Sequence, residues 1–210
     1  MARAASAYFA TVAGEWDEMR AGYFTEAMRD DAIARAQLPA GAVVADIGTG
    51  TGFVLAALAP LASVAYGFDE SPEMLAVARR NLSGYSNVLL EQAAGAKLPL
   101  PDGVLHGVFA NMYLHHAPEP GKAIVEMARL LRPGGVLCIT DLDIHDRVEQ
   151  RTHMADRWLG FEREQIRRWY SAANLAAIDI SAAAGMCCAT NTDDEDYALS
   201  VFVALGRMPA

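Results

Sequence analysis

Hydrophobic and polar positions alternate in two different rhythms along this chain. Between residues 8 and 37, Tyr8, Phe9, Val12, Trp16, Met19, Tyr23 and Phe24 recur at spacings of three and four, the stripe of an amphipathic helix. "LPAG" at Leu38 to Gly41 ends it. From residue 42 onward short apolar runs alternate with helical segments. The runs predict strands at 42–47, 64–68, 88–91, 104–110, 136–140, 175–181 and 198–205. Helices are predicted over 53–61, from Ser71 onward, over 120–131 and over 161–174, with a turn at "RPGG", Arg132 to Gly135. Ser71-Pro72-Glu73 carries a capping serine, a proline at the first helical position and an acid in the first turn.

Short buried strands joined by helical crossovers give a parallel sheet covered on both faces. The expected fold is α/β: a doubly wound, mostly parallel seven-stranded sheet with helices on both faces and an N-terminal helical extension. One domain over 1–210 is expected, with 1–38 as a helical lid and 39–210 as the α/β core. In such sheets ligands bind beyond the carboxyl ends of the strands. That directs attention to the residues after Ile47, Phe68, Glu91, Ala110 and Thr140.

Composition narrows the classes. The 210 residues are 53% hydrophobic, enough for a sizeable core, and the net charge of -9 argues against binding nucleic acid through its phosphates. The basic clusters, Arg79-Arg80 and Arg163 to Arg168, read as solvated helix faces. Three cysteines, without a secretory leader, point to a reducing, cytoplasmic compartment. The longest apolar stretch, residues 53–68, is interrupted by Pro60 and is not a membrane span.

The chemistry starts at "VVADIGTGTGF", Val43 to Phe53. Gly48, Gly50 and Gly52 do not spell the dinucleotide fingerprint, because position 53 is Phe, and no lysine follows for a phosphate loop. Asp46 just before the loop would repel pyrophosphate and favour a cation. Asp69, at the end of the second strand, can accept both hydroxyls of a ribose. A ligand with a ribose, no phosphate and positive charge fits, and S-adenosylmethionine is one.

"VVADIGTGTG", "GFDESPEML", "KLPLPDG", "NMYLHHAPEP" and "EMARLLRPGGVLCITDLD" resemble, in order and spacing, the motifs of class I S-adenosylmethionine-dependent methyltransferases. The likeness is nearest to the small-molecule, ubiquinone/menaquinone-type branch and is strong over residues 42–143. It implies that Asp46 orients the methionine ammonium, that Gly48, Thr49, Gly50 and Gly52 admit the methionine end, and that Asp69 with Glu70 holds the ribose. It also implies that Met74 packs near adenine, Asn111 holds the methionine end and Tyr23 belongs to a lid. Where the family often carries an acid for the adenine amino group, this chain has Ala94. Adenine would then meet backbone groups, or Gln92 or Glu91.

Methyl transfer needs alignment and exclusion of water, and a base only where the acceptor must lose a proton. His116, His115 and Asp141 are the candidates, against the plain reading that the histidine pair shapes its loop. Asp141, Asp143 and His145 are too few and too irregularly spaced to imply a metal. Trp158 and Phe161 suggest the wall of an aromatic acceptor pocket, or core. Cys187 and Cys188 raise metalloid chemistry, or simply small buried residues. The expected activity is methyl transfer to a small aromatic or quinone-like acceptor. No nucleic acid is expected as partner, and a homodimer is compatible with the sequence. The alternatives are a metalloid methyltransferase, a nicotinamide-dependent oxidoreductase and a non-catalytic cofactor-binding module.

Overall fold

An apolar run without polar alternation needs cover on both faces. β1 (Ala42–Ile47) has it: five of its six residues are buried. The computed structural model describes residues 2–190 and 196–210. In it β1 lies near the middle of a seven-stranded sheet with β2 (Ala62–Asp69), β3 (Val88–Gln92), β4 (Leu105–Asn111), β5 (Leu131–Leu142), β6 (Ala176–Thr190) and β7 (Asp196–Arg207). The order is β3-β2-β1-β4-β5-β7-β6. The first five strands pair in parallel, while β7 runs antiparallel to β5 and β6. The expected fold class is therefore the observed one.

The period of two along β1 sorts its side chains into two cores. Ala45 and Ile47 pack with Leu114, Ile124, Met127, Ile166 and Tyr170, beneath α6 (Pro120–Arg129) and α8 (Arg163–Ala172). Ala42 and Val44 pack the other way, with Ile33, Leu55, Leu58 and Ala78. Those residues come from α3 (Glu26–Ala36), α4 (Phe53–Leu58) and α5 (Pro72–Asn81). Ser71 caps α5 as expected, its hydroxyl accepting from Met74 N at 3.2 Å.

The continuous helix expected over 8–37 is instead α1 (Ala2–Val12), α2 (Trp16–Tyr23) and α3. Gly14 sits in the first break, and Phe24 and Thr25 adopt extended backbone in the second. The breaks allow α1 to lay Phe9 and Val12 on Met74 and Val77 of α5, while α3 packs beneath the sheet. "RPGG" is not a turn before β5 but a bulge within it. Leu105 faces Leu131 and Gly107 faces Val136, so four residues stand against one. β6 runs well past the expected end at Ser181, because β7 goes on pairing with it from Met186 to Thr190 beyond a register shift between Ala182 and Met186. The loop expected at Asn191 to Asp196 lies outside the described residues apart from Asp196, which opens β7. α8 keeps the core of the helix expected at 161–174, and a short α7 (Gln150–His153) precedes it. No helix among the described residues is long and apolar enough to cross a membrane.

The segment before α8 is pinned by Gly160. It has φ +70, and a Cβ there would overlap the backbone carbonyl of Asp143. Gly160→Ala is expected to destabilise the fold by about 2 kcal/mol or more, since backbone must move as well as φ. Thermal unfolding of the purified variant measures it.

Candidate active site

Beyond Ile47 the chain turns through Gly48, Gly50 and Gly52 at φ 70, 54 and 93, angles that suit glycine. Gly48 N and Thr49 N both donate to Phe68 O, at 2.8 and 2.9 Å. Gly50 N donates to Asp69 Oδ2 at 2.8 Å, and Ser71 N to Asp69 Oδ1 at 2.8 Å. One carboxylate thus ties the glycine loop to the start of α5. Tyr113 closes the other side. Its ring lies between Gly48 and Gly95, and a Cβ at either glycine would overlap it.

Above this loop opens a cleft of about 1020 Å³. Asp46, Gly48, Thr49, Gly50, Asp69, Glu70, Met74, Asn111 and His116 all line it. Asp46 is 1% exposed, and its Oδ2 and Thr49 Oγ1 have no partner beyond a loose contact with each other. Burial, helped by the nearby Asp69 charge, raises the Asp46 pKa to about 7. Among the described residues the lining carries three carboxylates, from Asp46, Asp69 and Glu70, against one guanidinium, from Arg20. Arg20 is buried, stacks 3.7 Å from the Phe53 ring centroid and leaves Nε without a partner.

The N-terminal helices form the roof, with Phe9 and Trp16 lining the cleft. Asp17 latches α2 to the glycine loop. It accepts from Thr51 Oγ1 at 2.6 Å and from Asn81 Nδ2 at 2.9 Å.

A second chamber of about 460 Å³ adjoins the first and shares Phe9, Trp16, Phe24, Met112 and His116 with it. Tyr23, Leu142, Met154, Cys187 and Leu199 make it largely apolar. Its polar end is built on Asp141, which is fully buried and accepts from Leu114 N and Leu142 N at 2.8 Å each. His115 Nδ1 donates to Asp141 Oδ1 at 2.7 Å. Asp156 Oδ1 lies 3.7 Å from His115 Nε2 and 3.9 Å from His116 Nδ1. Burial pulls the His115 pKa down, but the carboxylates of Asp141 and Asp156 outweigh it and hold it at about 9. Burial, and then the adjacent His115, keep His116 well below its ordinary value.

Comparison with known proteins places this geometry. The family described as "Methyltransferase domain" matches residues 45–139. Trans-aconitate 2-methyltransferase of Methylobacterium nodulans is 38% identical over 149 residues, 68% of this chain and 54% of that protein. The chloroplastic 2-methyl-6-phytyl-1,4-hydroquinone methyltransferase 1 of Oryza sativa subsp. japonica is 29% identical over 164 residues, 76% of this chain and 49% of that one. The chain belongs to the class I S-adenosylmethionine-dependent methyltransferase family. It spans about half the length of these curated relatives. The fold agrees with the methyltransferase solved in complex with the Haloferax volcanii Trm112 activator. The TM-score is 0.79 at 23% identity, covering 96% of this chain and 98% of that one. Family membership sets aside the nicotinamide reading.

S-adenosylmethionine is the cofactor of this methyltransferase family, and the residues present fit it. An unpartnered buried carboxylate, an acidic lining and a loop with room for backbone approach suit a ligand with an ammonium, a sulfonium and a ribose. They do not suit a pyrophosphate. Some expected residues stand elsewhere. Gly52 lies behind the loop, where a Cβ would meet Leu82. Ala94 is flanked by Ala93 and Gly95, which line the cleft while it does not. Gln92 is drawn away to Glu70 O at 2.9 Å. Tyr23 and His115 face the second chamber, because α2 ends over it.

Asp143 pairs with Arg163 at 2.7 Å and His145 Nδ1 accepts from Arg147 N at 3.2 Å, so neither joins Asp141. Phe161 is core, and Trp158 donates from its ring to Ala117 O, so they brace the wall without lining it. Cys187 is buried and Cys188 exposed, as neighbours on a strand must be, and Cys138 is in the core. Burial raises the Cys187 thiol to about 12, and no thiol cluster forms among the described residues. Sequence reasoning missed Arg20, Tyr113 and Asp156. For Asp156 the signal was an acid set within the apolar "HMADRWLGF".

In the unfolded chain Asp46 would titrate at about 3.9, against about 7 when folded. The folded state binds the extra proton, so stability falls as pH rises between these values. Asp46→Asn abolishes that loss. Without ligand the variant is expected to be more stable than the parent at pH 8, by up to about 4 kcal/mol, and equal to it near pH 4. Thermal melts at the two pH values provide the comparison.

Proposed function

We propose that this protein transfers a methyl group from S-adenosylmethionine to a small apolar acceptor with a hydroxylated aromatic ring, of the hydroquinone kind. The supporting observation is the second chamber. It is apolar, it joins the cofactor cleft through a shared wall, and no Lys or Arg lines it among the described residues. An acceptor like that named for the hydroquinone relative suits such a chamber. A polycarboxylate like that named for the trans-aconitate relative would meet Asp156, and the one cationic group there among the described residues, His115, is already paired with Asp141.

Bound in the cleft, the cofactor supplies a methyl group activated by its sulfonium. Asp46 is placed to hold the ammonium, and the glycine loop to receive the methionine end through its backbone. In this reading Asp69 and Glu70 would meet the ribose, Met74 and the backbone of Ala93 and Gly95 the adenine, and Asn111 the methionine end. Phe9 and Trp16 keep water out of both chambers. His115, His116 and Asp141 form the polar end, where an acceptor hydroxyl would sit and where its proton would be taken up.

Titration calorimetry with S-adenosylmethionine and S-adenosylhomocysteine is the test. Both should bind one per chain. Asp69→Asn should weaken them about 10- to 100-fold, the loss of charge-assisted hydrogen bonds. No binding by folded protein would sink the reading. Binding without a methylated product across a panel of hydroquinones would leave a cofactor-binding module.

A further inference from the structure

At the polar end of the second chamber Asp156, which the methyl-transfer reading does not use, stands against the two histidines. His115 Nε2, His116 Nδ1 and Asp156 Oδ1 lie within 4.8 Å of one another. Asp156 Oδ1 is buried and has no hydrogen-bond partner. Its 3.7 and 3.9 Å separations from the two imidazole nitrogens are too long for hydrogen bonds. His116 Nδ1 makes only a 3.4 Å approach to Ala155 O. Asp156 Oδ1 is thus left without a hydrogen-bond partner where two imidazole nitrogens approach it, and His116 Nδ1 has only the long contact to Ala155 O. We propose that His115, His116 and Asp156 bind a divalent transition-metal ion of the zinc class.

Bonds of 2.0–2.2 Å in tetrahedral geometry set ligand atoms roughly 3.3–3.5 Å apart. The two gaps to Asp156 need to close by a few tenths of an ångström, and the gap between the imidazoles, which is within 4.8 Å, by up to about 1.5 Å. The rear of the site is built as metal sites are. Asp141 already accepts two backbone N–H groups at 2.8 Å, so His115 must donate to it from Nδ1, at 2.7 Å. That fixes the ring with Nε2 turned toward Asp156, the carboxylate–histidine arrangement that orients a metal ligand. Two imidazoles and one carboxylate suit zinc, cobalt or nickel better than magnesium or calcium, which take oxygen ligands. Three protein ligands leave a coordination position open. His116 lines both chambers, so that position faces the space where an acceptor oxygen would lie. The inference stands on the cluster itself and does not require the acceptor to be correct.

The test uses the full chain, stripped with a chelator and titrated with Co²⁺ while its visible d–d absorption is recorded. One Co²⁺ per chain is expected, with the intense band of a low-coordinate site, displaced by Zn²⁺, and Zn²⁺ should raise the melting temperature. Asp156→Asn and His116→Gln should each weaken binding at least tenfold. Asp141→Asn, which touches no metal, should weaken it about 10- to 100-fold. Should Asp141→Asn fail to fold, the other two variants and the wild-type spectrum still decide. A wild-type chain with neither band nor thermal shift overturns the proposal and leaves a proton shared between His115 and Asp156. Binding unchanged in Asp156→Asn and His116→Gln overturns it as well, by placing the ion elsewhere on the surface. S-adenosylhomocysteine binding, measured separately, shows whether the methyltransferase reading stands or falls independently.

Discussion

The cleft depends on one carboxylate. Asp69 ends β2 and accepts from the glycine loop on one oxygen and from the start of α5 on the other. The glycines at 48, 50 and 52 have no side chains with which to hold the loop, so much of its shape is imposed from outside. The imposed shape comes from Asp69 and from the Phe68 carbonyl beside it. Because a carboxylate oxygen accepts more than one hydrogen bond, Asp69 can serve the loop and still meet a ligand hydroxyl.

A buried acidic cleft is costly without a cation, and that cost gives the site its selectivity. Asp46 is held where ionisation is unfavourable until positive charge arrives. An anionic cofactor would raise the cost and a cationic one relieves it. The second chamber works by a different principle. Its wall is apolar and comes from α2, the loop after β5, and the β6–β7 pair. The two chambers thus draw their ligand preferences from separate elements and meet only along a shared wall.

Much of this was legible in the sequence where the chemistry is local. Strand periods, the serine cap at Ser71 and the glycine loop with its flanking acids depend on neighbouring residues, and the structure keeps them. The cleft lined by Asp46, Asp69, Met74 and Asn111 could be read because each lies at or just beyond the carboxyl end of a strand. What was hidden depends on contacts between distant segments. A heptad-like stripe over 8–37 does not show that Phe24 and Thr25 must be extended to fold α2 over the cleft. Tyr113 is an ordinary aromatic until Gly48 and Gly95 are seen on either side of it. Asp156 joins His115 across a separation of 41 residues that no local pattern encodes.

The roof that covers the cofactor cleft also covers its neighbour, since Phe9, Trp16 and Phe24 face both. A substitution at Phe9, Trp16 or Phe24 therefore cannot reshape one space without reshaping the other. The hydrogen bonds of Asp17 to Thr51 and Asn81 tie that roof to the glycine loop and to α5, so the contacts that fix the floor of the cleft also fix its ceiling.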